Sequence, residues 1–128
     1  MSLDLKSESD GFRRFYAHLL ALYQVPAKQT LLFEEPENGI YTGALALLAD
    51  EFKAAPESGH GQIILTTHSP GLLDHFSPDA IRVVQIENFR TQIGKINEGQ
   101  SNSVKRRLLE PGELLTVDPA RMEEASAG

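Results

Sequence analysis

The 128-residue chain contains no cysteine, which excludes a disulfide framework, a thiol nucleophile and a Cys-ligated zinc site. It also lacks any apolar run near the roughly 18 residues that a membrane-crossing helix requires. The N-terminus has no basic-then-apolar pattern of a secretory signal, so the expected location is cytoplasmic. Basic residues are scarce: 12 Lys and Arg stand against 18 Asp and Glu, a formal charge of −6. A broad electrostatic grip on nucleic-acid phosphates is therefore not expected, and any anion site must be local. What is present is globular in character, with 41% hydrophobic and 23% charged residues, and the length suits one domain with a modest core.

Phe12, Phe15, Tyr16, Leu19, Leu20 and Tyr23 recur at the spacing of one helix face. They predict a helix over 12–24, capped by Ser9 or Asp10 and stopped by Pro26. Gln29 to Glu35 is a continuous apolar run ending in two carboxylates, as expected of a strand buried on both faces. Helical spacing returns from Tyr41 to Lys53, and Pro56 with Ser58-Gly59-His60-Gly61 marks a loop. Gln62 to Thr67 predicts a second strand, completing the βαβ unit of a parallel sheet. Ser69 and Pro70 predict a short helix through Phe76, and Ile81 to Glu87 with Thr91 to Ile96 a hairpin around Asn88-Phe89-Arg90. Beyond it, Ser103 to Glu110 reads as a helix and Glu113 to Val117 as a short ordered piece. The expected organisation is one α/β lobe over residues 1–120 and a disordered tail over 121–128.

Ligands of parallel sheets bind beyond the carboxyl ends of the strands, where Glu34 and Glu35 end one strand and His68 ends the next. A carboxylate at such a strand end can face a magnesium ion while its neighbour faces an attacking water; solvated or Arg-paired acids are the plainer alternative. A neutral imidazole carries one donor and one acceptor, which suits contact with a terminal phosphate, although a lone histidine is more often structural. Ser9-Asp10-Gly11 at a helix start offers free N–H groups to an anion, and equally makes an ordinary cap. Arg13 in the first turn opposes the helix dipole and would gain from a nearby anion, or from Glu8 and Asp10.

In order, Ser9-Asp10-Gly11-Phe12-Arg13, Leu32-Phe33-Glu34-Glu35-Pro36-Glu37-Asn38-Gly39 and Leu65-Thr66-Thr67-His68-Ser69-Pro70 resemble the C-terminal half of an ABC-type ATPase domain. The resemblance is to its soluble AAA/ABC-class branch, similar to chromosome-maintenance, DNA-repair and OLD-nuclease ATPases, and spans residues 7–96. It implies a partial P-loop NTPase fold, a mostly parallel sheet flanked by helices with a C-terminal hairpin. It also implies ATP and Mg2+ as ligands, with Ser9, Gly11, Arg13 and Asn38 toward a partner's nucleotide. Glu34 takes the Walker B metal position, Glu35 that of the catalytic base and His68 that of the switch. The chain departs from the family in Glu34, where many members have Asp, and in Phe12, Tyr41 and Thr42.

The phosphate cradle of that family, Gly-x-x-x-x-Gly-Lys-Ser/Thr, is absent from the sequence. The chain is therefore expected to complete an ATPase only with a P-loop-containing segment and a dimer partner. The strand ending at Thr67 would present an open edge that invites self-association. The alternatives are a non-catalytic interaction or regulatory module that retains the fold, and a metal-dependent hydrolase built on Glu34, Glu35, Glu37 and His68. A DNA-related complex is the partner class the resemblance suggests.

Overall fold

The computed structural model describes residues 9–124. The single expected domain resolves into two compact units that divide between His68 and Ser69. The first holds helix α1 (Asp10–Leu22), strand β1 (Thr30–Glu34), helix α2 (Leu45–Glu57) and strand β2 (Gln62–Thr66). β1 and β2 pair in parallel, from Thr30 opposite Gln62 to Glu34 opposite Thr66, so the predicted βαβ unit forms. Its sheet has two strands, and β2 carries no strand on its outer edge among the described residues.

Ser9 caps α1, its hydroxyl oxygen accepting the Phe12 N–H at 3.3 Å. The helix closes at Tyr23, whose N–H donates to the Leu19 carbonyl, earlier than Pro26 alone would require. α2 begins behind a 3-10 turn over Thr42–Ala44 and buries Leu45, Leu48, Ala49, Phe52 and Ala55. Pro56, expected in the following loop, lies inside its last turn, where the fixed φ of proline is already helical. The Phe33 and Phe52 rings meet edge to face at 4.8 Å between centroids, and His18 packs against both. One aromatic cluster thus joins α1, α2 and the inner face of β1. Tyr23 ties the far end of α1 to α2 by donating to Glu51 Oε2 at 2.6 Å, a bond that raises the phenol's pKa.

The strands are not buried on both faces. Leu31, Phe33, Ile63 and Leu65 alternate inward, while Leu32 stays 75% exposed and Ile64 48% exposed on the other face. On that outward face Leu32 and Ile64 are the apolar residues, among Thr30, Glu34, Gln62 and Thr66.

Gly61 shapes the entry to β2. Its φ is +81°, and a Cβ there would lie 2.1 Å from the Lys28 carbonyl oxygen and 2.8 Å from that of Gln29. Gly59 has a similar φ of +82° with open space around it. Gly61→Ala therefore adds a backbone clash to the about 1–3 kcal/mol of left-handed strain, whereas Gly59→Ala carries the strain alone. Urea unfolding should show Gly61→Ala as clearly the more destabilising of the two.

The second unit contains α3 (Pro70–Leu73), capped by Ser69 as expected but ending before Phe76, and the antiparallel hairpin β3 (Arg82–Glu87) and β4 (Arg90–Lys95). Asn88 and Phe89, at φ 50° and 60°, make the two-residue turn whose twist suits a hairpin. The next helix, α4, spans Glu98–Lys105 rather than 103–110, because Asn97 caps it by accepting the Gln100 N–H at 2.8 Å. Arg106 and Arg107 lie beyond its end. A 3-10 turn over Pro111–Leu115 follows.

Ile96, Val104 and Leu114 form this unit's core. Gln100, 2% exposed, is satisfied on both sides of its amide, donating to the Asp118 and Pro119 carbonyls and accepting the Arg121 N–H. The expected tail begins with ordered pairing: Asn97 donates to the Arg121 carbonyl, Glu123 to that of Lys95, and Met122 bridges Ile96. Residues 125–128 lie outside the described residues. No described helix is long and apolar enough to cross a membrane.

Candidate functional site

Parallel pairing brings the C-terminal ends of β1 and β2 to one rim. Beyond the last paired residues, the Glu35 N–H donates to the Thr66 carbonyl at 3.0 Å and to Thr66 Oγ1 at 3.2 Å. This holds Glu35 in a left-handed conformation, φ 43°, not in the extended one that Pro36 alone suggests. The turn carries its carboxylate toward the end of the neighbouring strand. Glu35 Oε1 lies 3.6 Å from His68 Nε2, and Oε2 accepts the Asn38 amide at 2.8 Å. A non-glycine residue held in this region is frequent where a structure fixes a reactive group.

Glu34, opposite Thr66, lies on the uncovered face of the sheet and is exposed. Among the described residues no three His, Asp or Glu side chains group closely enough to hold a metal, so a cage built on Glu34, Glu35, Glu37 and His68 finds no support. A single exposed carboxylate at a strand end fits a cation that keeps water and substrate phosphates among its ligands, as magnesium does.

Ser9 and Gly11 lie at the start of α1, against the turn that follows Glu35. A Cβ on Gly11 would stand 2.8 Å from the Gly39 carbonyl oxygen, so only glycine allows this approach. Both residues line a cleft of ≈ 370 Å³ shared with Phe12, Phe15, Ile40 and Tyr41. Its walls are largely apolar, unlike a phosphate cradle. The Arg13 guanidinium pairs with the Asp10 carboxylate, the local partner the sequence offered. The two groups of predicted residues meet through adjacent positions of one turn: Asn38 holds Glu35, and Gly39 backs Gly11.

Two further polar residues join the rim. Thr67 Oγ1 donates to Glu37 Oε1 at 2.6 Å, a pairing across 30 positions that no local spacing signals. His18, for which no motif suggests a role, donates from Nε2 to the Pro36 carbonyl at 2.9 Å and so anchors the turn from α1. Burial, aided by the nearby Arg14 charge, lowers its pKa from the ordinary 6.5 despite the opposing effect of the Pro36 hydrogen bond. The unfolded chain then binds more protons than the folded one as pH falls below 6.5. The stability contributed by the neutral ring is thus full above 6.5 and lost as pH falls through the lowered folded value. A proton NMR titration should place the His18 midpoint below 6.5; a midpoint at or above it would contradict the burial.

A protein-family model described as "AAA domain, putative AbiEii toxin, Type IV TA system" matches residues 2–74, which include all three motifs. No curated protein matches the chain in sequence. Among solved structures, a chain from work on the ATP-driven dimerization and DNA-stimulated activation of SMC ATPases is similar in fold, with a TM-score of 0.57 at 14% identity. The likeness covers 80% of this chain and 63% of the solved one, so this chain spans less than two thirds of that relative's length.

Proposed function

The chain belongs to the AAA-domain family whose model it matches, and on that premise we propose that it is the C-terminal lobe of an ABC-type, SMC-like ATP hydrolase. In this proposal it supplies the signature, the Walker B carboxylate, the catalytic glutamate and the switch histidine, and it turns ATP into ADP and phosphate only when a P-loop lobe and a dimer partner complete it. The observation that carries the proposal is the 3.6 Å approach of Glu35 and His68 at neighbouring strand ends.

Asn38 occupies Glu35 Oε2, which leaves Oε1 to orient an attacking water and accept its proton. His68 donates to the terminal phosphate. The Ser9 hydroxyl and the free N–H groups of the first turn of α1 face a partner's nucleotide. Magnesium, when bound, neutralises charge on the transferred phosphate, and Glu34 is the residue that would hold it. The open edge of β2 is where a P-loop segment or a second copy pairs. The likeness to SMC ATPases extends the proposal to a DNA-related complex, in which the charge of −6 leaves DNA contact to other parts.

Phosphate release measured with and without a P-loop lobe supplied in trans tests this. Turnover should appear only in the mixture, since positioning and phosphate neutralisation supply most phosphoryl-transfer catalysis. Robust turnover by the chain alone would overturn the division of labour. A mixture that binds partners without binding nucleotide would favour the interaction module.

A further inference from the structure

Glu37 and Thr67 have no part in the hydrolytic scheme, yet the fold joins them tightly at its rim. Glu37 is half-buried, and its Oε2 is closed off from solvent with no hydrogen-bond partner. Such a half-satisfied carboxylate is costly to bury, and it depends strongly on the donor it has. That donor is the Thr67 hydroxyl, at 2.6 Å from Oε1.

The tie falls where the backbone ladder has ended. Glu34 and Thr66 are the last paired residues, and Glu35 donates back to Thr66. The Thr67–Glu37 bond is the next link, one residue before His68. The His68 side chain is 86% exposed, and its 3.6 Å approach to Glu35 is longer than an ordinary hydrogen bond. Packing therefore does little to fix the imidazole, and its location follows from the backbone at Thr67. In the turn after β1, Glu37 directly precedes Asn38, whose amide holds Glu35 Oε2.

We propose that Glu37 and Thr67 are positioning residues that clamp the histidine segment to the carboxylate turn, holding His68 opposite Glu35 before any nucleotide arrives. The purpose of the clamp rests on the ATPase proposal; its test needs no nucleotide. Close by in the rim are the Glu35 carboxylate and the His68 imidazole, 3.6 Å apart, with the Arg14 side chain of α1 against Gly39.

The test is NMR of the full, isotope-labelled chain, reading cross-peaks between the His68 ring and the Glu35 side chain. Thr67→Val keeps the side chain's shape and removes the donor, so these cross-peaks should be lost while the β1–β2 amide pattern persists. Thr67→Ser retains a donor and Glu37→Gln an acceptor, and both should keep the cross-peaks. A merely structural pair would lower the melting midpoint and leave the His68–Glu35 contact in place, so cross-peaks surviving in Thr67→Val would overturn the proposal. Should Thr67→Val fail to fold, three-bond couplings in the native chain decide: a single Thr67 χ1 rotamer is expected, and rotamer averaging would refute the clamp. Absence of ATP turnover in the complemented chain, with the cross-peaks behaving as expected, would remove the ATPase proposal alone.

Discussion

Glu35→Gln should reduce phosphate release from the chain completed by a P-loop lobe by about 10²–10⁴-fold, the contribution of a positioned general base. The substitution is nearly isosteric, and the glutamine carbonyl can still accept the Asn38 amide that now reaches Glu35 Oε2. The left-handed backbone at this position treats the two side chains alike. What changes is the capacity to take a proton, so the rate should fall while nucleotide binding and the melting midpoint stay close to native. An unchanged rate would remove Glu35 from the chemistry.

Phe52→Ala should have the largest effect on the first unit, costing about 3–5 kcal/mol, as expected for an aromatic core truncation. Phe52 is 3% exposed and is the ring against which both Phe33 and His18 pack. A whole domain is commonly stable by only about 5–15 kcal/mol, so this one change removes a large part of the margin. Phe33 immediately precedes Glu34 and Glu35, and His18 holds the Pro36 carbonyl. Loosening the cluster should therefore also release the rim. Urea denaturation followed by far-ultraviolet circular dichroism measures the cost, and a loss below about 1 kcal/mol, ordinary for a surface change, would contradict the packing described.

The βαβ unit is legible because its signals are local: apolar runs closed by Glu34-Glu35-Pro36 and His68-Ser69-Pro70, with helical spacing between them. The same signals could not reveal how the strands are covered. Leu32 reads as buried because it lies in a continuous apolar run, and composition does not say what covers a strand face. α4 was displaced in the prediction because Glu98, Gly99, Ser101 and Asn102 carry no apolar period; its start is fixed by the Asn97 cap and its inward face by Gln100 and Val104. The two-unit division was not foreseen, since a chain of this length is commonly one domain.

At the site, residue order places Glu35 and His68 on one rim, but it does not show the turn that aims Glu35. Pro36 argues for an extended residue before it, but the hydrogen bonds from the Glu35 N–H to Thr66 override that preference. The Glu37–Thr67 and His18–Pro36 contacts are tertiary and leave no pattern in spacing. For Arg13, in a first helical turn, the sequence leaves open an anion or a local acid, and its i,i+3 neighbour Asp10 is the partner found.

The most direct measurement is paramagnetic broadening by manganese-bound ATP in the chain complemented with a P-loop lobe. His68 and His60 follow and precede the same strand, β2, and so report from its opposite ends. If the rim faces a triphosphate, the signals of Glu34, Glu35 and His68 should broaden first and those of His60 last. Equal broadening at both ends of β2, or broadening that spares His68, would contradict the account.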